Sequence, residues 1–214
     1  MLTILINAFE ETFLMVLIAS VFTVVLGLPL GFLLYGTTNK QFFQNKTLHY
    51  AVRLPITFLH SSPYLMIVIF SLPLIKSFVD NHTINSTAAI LPLTLAAIPL
   101  YSLLTFEAIQ KLPKELSETV KAIGATPWQA IMKIYLPEIL PALVQAIAKI
   151  LIHLISLSTI AGLLGAGGVG ALIMQKGYYS FESNYIVACA LLLVCSTQLI
   201  QFSSHLLAKQ IAKH

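Results

Sequence analysis

Charge is what this 214-residue chain has least of. Asp, Glu, Lys and Arg make up 9% of it, where a soluble domain carries about 25%. That scarcity excludes an ordinary water-soluble fold. Cysteine is nearly absent too. Cys189 and Cys195 share one apolar segment, so they read as packed or lipid-facing thiols rather than a disulfide or metal pair. No G-x-x-x-x-G-K-[ST] run occurs, so the chain cannot cradle ATP phosphates in the usual way. Of eight acids, none stands at mid-segment, and only Glu107 falls at the end of an apolar run. Carriers coupled to protons or sodium usually need such groups. A basic leader is also missing, since Glu10 and Glu11 precede the first apolar run, and no cleavable signal peptide is expected. The chain is instead filled by 57% hydrophobic residues, with a mean hydropathy of +0.88. Its net charge of +4 is informative through its distribution among loops, and no nucleic-acid partner is expected.

Lipid cannot satisfy an open backbone, and about 20 apolar residues span it as helix. The expected fold is therefore all-α: a polytopic membrane protein of five transmembrane helices, with a cytoplasmic loop between the third and fourth. The spans fall at about 12–35, 54–75, 88–106, 139–164 and 185–207 of a single domain, 1–214, with the loop at about 107–138. The first span contains Gly27 and Gly31 at G-x-x-x-G spacing around Pro29, which predicts close approach of a second helix and a kink. A polar stretch from Gly36 to Arg53 follows. Pro55, Pro63 and Pro73 predict that the second span is bent or broken, and Pro92 and Pro99 predict kinks in the third. A short loop holds Lys76, Asp80 and His82, and a tail with Lys209, Lys213 and His214 closes the chain.

Counting cations orients it. Lys40, Lys46 and Arg53, then Lys111, Lys114, Lys121 and Lys133, then Lys209 and Lys213 would share one side; only Lys76 and Lys176 face them. The rule that cytoplasmic loops are rich in Lys and Arg puts the N-terminus outside and the long loop and C-terminus in the cytoplasm.

The long loop has internal order. Pro113 suits a helix start, and Leu116, Val120 and Ile123 form a one-sided apolar stripe. Gly124 stands where a helix end wants a residue tolerant of positive φ. Thr126 then reads as an N-cap, with Pro127 at the first helical position and Gln129 completing a capping box. This second helix offers Ala130, Ile131 and Ile134, and Pro137 is expected to end it. Two short helices meeting at a glycine elbow between membrane spans suggest a surface for docking another protein.

Other motifs carry less. Gly165 to Gly170 matches G-x-G-x-x-G, but that fingerprint needs a strand before it and a helix in a repeating strand–helix unit. Here it reads as a flexible or tightly packed turn that could serve a gate. Lys149 and His153 lie four apart on one helical face inside the fourth span. They either line a path, with Ser156 and the turn glycines Gly165, Gly167 and Gly168, or snorkel to water. His60 with Ser61 and Ser62 has no accompanying carboxylate for nucleophilic chemistry, and His205 reads as an interface or solvent residue.

At the loop the sequence resembles the permease subunits of bacterial ABC importers. Their motif is glutamate-alanine-alanine, glycine six positions after the glutamate, then isoleucine-x-leucine-proline. Glu118, Gly124, Ile134, Leu136 and Pro137 stand at that spacing, with Thr119 and Val120 in place of the alanines. TFLMVLIASVFTVVLGLPLGFLLY, PLTLAAIPLYSLLTFEAI and IAGLLGAGGVGALIMQKGYYSF look like the five-span methionine-importer permeases. The resemblance implies an ATP-driven amino-acid importer of the bacterial inner membrane, for methionine in D or L form or a close analogue. It further implies a homodimer, two copies of a cytoplasmic ABC ATPase, an external substrate-binding lipoprotein and a lipid surround. This chain would be non-catalytic and bind no cofactor, with ATP and magnesium on the ATPase. The coupling surface would comprise Glu118, Ala122, Gly124, Ala125, Ile134, Leu136 and Pro137. Three alternatives remain: an ABC permease for another amino acid, an ion-coupled secondary carrier, which an odd span count without visible repeats disfavours, and a membrane-embedded hydrolase using His60 or His153.

Overall fold

The computed structural model describes residues 2–38, 46–78 and 86–211; Lys40, Asp80, His82, Lys213 and His214 lie outside them. The chain folds as helices α1 (Leu2–Thr38), α2 (Lys46–Ser61), α3 (Tyr64–Phe78), α4 (Ser86–Gln110), α5 (Lys114–Ala122) and α6 (Pro127–Ala130). They are followed by α7 (Leu136–Ala161), α8 (Gly168–Leu172) and α9 (Ser183–Ile211). Wide π-turns at Ile131–Tyr135, Gly162–Ala166 and Ile173–Tyr179 join α6 to α7 and flank α8. Four helical stretches among the described residues are long and apolar enough to cross a membrane, and the bent α2–α3 pair brings the number to five when it is taken as one span.

Side-chain contacts give the direction of each crossing. A Cβ on Gly27 would lie 3.0 Å from the Tyr101 ring, and one on Gly31 would lie 2.6 Å from Thr105 Cβ. Both contacts advance together along the chain, so α1 and α4 run parallel. The chain must therefore recross between them, and α2–α3 is that crossing. Tyr35 packs edge-on against Tyr135 with centroids 5.8 Å apart, while Thr12 contacts Val169, so the stretch leading from Tyr135 through α7 returns antiparallel to α1. Gln145 to Ile152 of α7 face Gln201 to His205 of α9, while Tyr185 and Cys189 cluster with Leu5 and Ala8. The α9 helix thus runs antiparallel to α7. With the α2–α3 pair taken as one span, the two ends of the chain fall on opposite sides.

The α2–α3 pair is bent by 108°, and the break falls at Ser62–Pro63. Proline donates no backbone hydrogen bond and disfavours helical geometry in the residue before it. Helix α3 restarts from the Pro63 carbonyl, which accepts from Met66 N at 2.9 Å. The predicted break is there, but the polar stretch from Gly36 to Arg53 is not one loop. Helix α1 runs on to Thr38 and α2 begins at Lys46, where Thr37 Oγ1 lies 3.0 Å from His49 Nδ1.

Pro137 does not end a helix either. Leu136 N donates to the carbonyl of Ile131, five residues back. This wide turn leaves room for the proline ring, which costs a helix most when a regular i−4 carbonyl stands against it. The core lies where α1, α4 and α7 meet, around Met15, Ala19, Leu93, Ala97, Tyr101, Ile150 and Leu154. The Gly31 contact predicts that Gly31→Leu, which must displace Thr105 and the Ser102 carbonyl at 2.8 Å, costs about 1–3 kcal/mol by overpacking. Thermal unfolding of the detergent-solubilised protein measures that loss.

Candidate functional site

The loop between α4 and α7 folds as a two-helix elbow. Val120 is buried and Leu116 packs against the same core, but Ile123, expected in that stripe, is 63% exposed. The reason is local: α5 ends before it. Ile123 N donates to the Thr119 carbonyl at 3.1 Å, and Ala125 N reaches back to the Val120 carbonyl at 3.4 Å. Between them Gly124 has φ +61°, the left-handed conformation such a C-terminal closure needs. Helix α6 starts at once. Thr126 is extended at φ −65°, ψ 155°; its N–H donates to Gln129 Oε1 at 3.1 Å, and Gln129 N donates to Thr126 Oγ1 at 3.3 Å. The capping box is formed as its residues dictate. Thr126→Ala is expected to remove about 1 kcal/mol of local helix stability, read as faster amide exchange across 127–135 with the spans unaffected.

The elbow is anchored from beneath and bare above. Ala130, Tyr135 and Ile139 belong to the buried core. Ala125, Ile134 and Leu136 are half-buried against that core, so of the coupling residues these three anchor the element. Glu118, Ala122, Gly124 and Pro137 are exposed. With Ile123 and the 67% exposed Trp128, they form an outward ridge. Beneath Trp128 an apolar cleft of about 330 Å³ separates the elbow from Phe32 and Tyr35 of α1.

The other candidates fall at two separate levels. Lys149 and Ser156 are exposed and His153 half-buried along one face of α7. The glycine turn sits beyond the far end of α7, with φ of +101° at Gly165, +86° at Gly167 and +70° at Gly168. It is tied down rather than loose. Gly168 N donates to Glu11 Oε2 at 2.7 Å, and Val169 N donates to Thr12 Oγ1 at 2.8 Å. Thr12 Oγ1 in turn donates to the Ala8 carbonyl. Sequence reasoning missed both residues, having set Glu11 before the first span, and a partner 157 positions away leaves no local signal. It also missed Gln201 and Ser204, and took His205 for an interface or solvent residue; all three line a cleft with Lys149. Only the spacing 201, 204, 205 on α9 could have pointed to them.

The family described as binding-protein-dependent transport system inner membrane component matches residues 24–214. Among curated relatives, the probable D-methionine transport system permease protein MetI of Pasteurella multocida is 38% identical over 78% of this chain and 76% of its own length. The protein of the same description from Vibrio cholerae is 32% identical over 97% and 92%. Among solved structures, the inward-facing MetNI methionine ABC transporter superposes with a TM-score of 0.94 at 33% identity, covering 99% of this chain and 97% of that one. An amino acid ABC transporter with histidines shares the fold, with a TM-score of 0.78 at 16% identity. The helical topology, the elbow and these matches lead to one assignment: the chain belongs to the inner-membrane components of binding-protein-dependent transport systems.

Proposed function

We propose that this chain is the membrane-spanning permease subunit of an ATP-driven importer for methionine or a close analogue. The observation that carries the reading is the elbow at Gly124, capped at both helix ends, anchored by Ala130 and Tyr135 and presenting an uncovered ridge. The MetNI likeness supports an ATPase subunit as the ridge's partner, with ATP and magnesium bound on that subunit. The relatives' names support methionine as the solute.

The assembly contains two copies of this chain and two of the ATPase. Gln145, Lys149, His153 and Ser156 form a polar stripe along α7, which is costly against lipid and fitted to a water-filled path between copies. The loop cations orient the elbow to the cytoplasm and the N-terminus outside. An external binding lipoprotein would then deliver solute at the end where Glu11 and Thr12 hold the glycine turn. Closure of the ATPase pair on the elbows would rock the spans between inward- and outward-facing states as rigid bodies. This chain positions and couples; it performs no hydrolysis.

The test is ATP hydrolysis by the purified complex in nanodiscs. Loaded binding protein should stimulate it several-fold only when this chain is present, and the stimulation should follow methionine over other amino acids. Equal stimulation by an unrelated amino acid would redirect the substrate. Hydrolysis by the ATPase indifferent to this chain would sink the coupling role.

A further inference from the structure

One cleft has a lining unlike its neighbours. The clefts beneath Trp128 and at the α2–α3 bend are walled almost wholly by apolar side chains. The third, of about 150 Å³ between α7 and α9, is lined by Gln145 and Lys149 from one helix and Gln201, Ser204 and His205 from the other, with Ala148 and Ile152 between. Its lining contains a permanent cation and no carboxylate. Lys149 stands midway along α7, roughly 20 Å from either end at 1.5 Å per residue. A cation at that depth needs a partner or a water-filled cavity.

An oxyanion is the partner this lining fits. Lys149 brings three N–H donors and the amide groups of Gln145 and Gln201 bring more, with His205 beside them; Ser204 Oγ already donates to the Gln201 carbonyl. A phospholipid phosphate and a solute carboxylate share this chemistry. The stripe favours the solute. Gln145, Lys149, His153 and Ser156 repeat at steps of four, four and three, carrying polarity over roughly 16 Å of helix rise. A bound headgroup would stay where the cleft opens, whereas a solute anion would follow the polar stripe onward along α7.

We propose that Lys149, flanked by Gln145, Gln201, Ser204 and His205, forms a carboxylate-binding station between the middle of α7 and the last third of α9 that holds the carboxylate of the solute in transit. This rests on the importer reading and sharpens its substrate class. The solute carries a free carboxylate and no net positive charge, because nothing in the lining neutralises a second cation.

Equilibrium binding of radiolabelled methionine to the ATP-free complex in nanodiscs, without external binding protein, tests the station. Lys149→Met is expected to weaken binding about tenfold or more, the loss of a charge-assisted contact. Lys149→Arg should stay within about threefold of wild type. Methioninol, which lacks the carboxylate, should fail to compete. Unchanged binding by Lys149→Met overturns the proposal, as does undetectable binding by wild type at millimolar methionine. So does native mass spectrometry in which Lys149→Met loses only a bound phospholipid. ATP-driven uptake by wild type reports separately: if it is intact while Lys149→Met binds normally, the station fails and the importer reading stands.

Discussion

Gly124→Val is expected to leave insertion and assembly intact and to cut ATP-driven uptake more than tenfold. The argument runs from the backbone. Gly124 has φ +61°, where a β-branched residue is an outlier; an L side chain in that region costs about 1–2 kcal/mol. No atom lies within 4 Å of the position a Cβ would take, so sterics in the isolated chain do not add to the cost. Relief must come through the elbow itself, by unwinding the last turn of α5 or pulling Thr126 from its cap. One to two kcal/mol shifts a local equilibrium by a factor of roughly 5–30, and a bulky side chain on the bare ridge also obstructs docking. Gly124→Asn, which tolerates the left-handed region, should retain most uptake. Uptake by proteoliposomes at matched protein content separates the two variants. Equal loss in both would assign the effect to the surface rather than the backbone.

Gly162→Val should act on the fold instead. A Cβ there would stand 2.6 Å from the Gly167 carbonyl oxygen, 2.7 Å from Gly170 Cα and 2.8 Å from Ala171 N. All three are backbone atoms, so no side chain can move aside. A Cβ on Gly170 meets the Thr159 carbonyl in the same way. The end of α7 and the start of α8 thus touch backbone to backbone. Forcing them apart must also strain the bonds from Gly168 to Glu11 and from Val169 to Thr12. The expected cost exceeds the roughly 1–3 kcal/mol of ordinary overpacking. It would be seen as loss of the monodisperse detergent-solubilised protein and a lowered unfolding temperature. Glu11→Gln keeps a carbonyl acceptor for Gly168 N and should be much milder.

Much of this was legible where the signal is local. The Thr126–Gln129 box, the positive φ of Gly124 and the break at Pro63 each depend on a few adjacent residues whose backbone preferences agree. The Gly27–Gly31 pair announced a close neighbour, though only the fold names it as α4. Two expectations failed, one for a tertiary reason and one for a local one. Pro137 was expected to stop a helix, yet the wide turn at Ile131–Tyr135 lets it pass, and its selection by the packing of Tyr135 on Tyr35 has no short-range signature. Ile123 fell outside its stripe because α5 closes before it. The α7–α9 cleft was half legible. Lys149 and His153 stood out as polar groups in an apolar run, while the residues facing Lys149 lie more than fifty positions away on α9.

Solute uptake into sealed vesicles tests the central claim most directly. The complex of this chain with its ATPase, reconstituted with binding protein outside, should accumulate methionine only with ATP on the ATPase side. That uptake should be insensitive to collapsing proton and sodium gradients. Accumulation that persists without ATP or without the ATPase, and that collapses with an ion gradient, would contradict the account and make the chain an ion-coupled carrier.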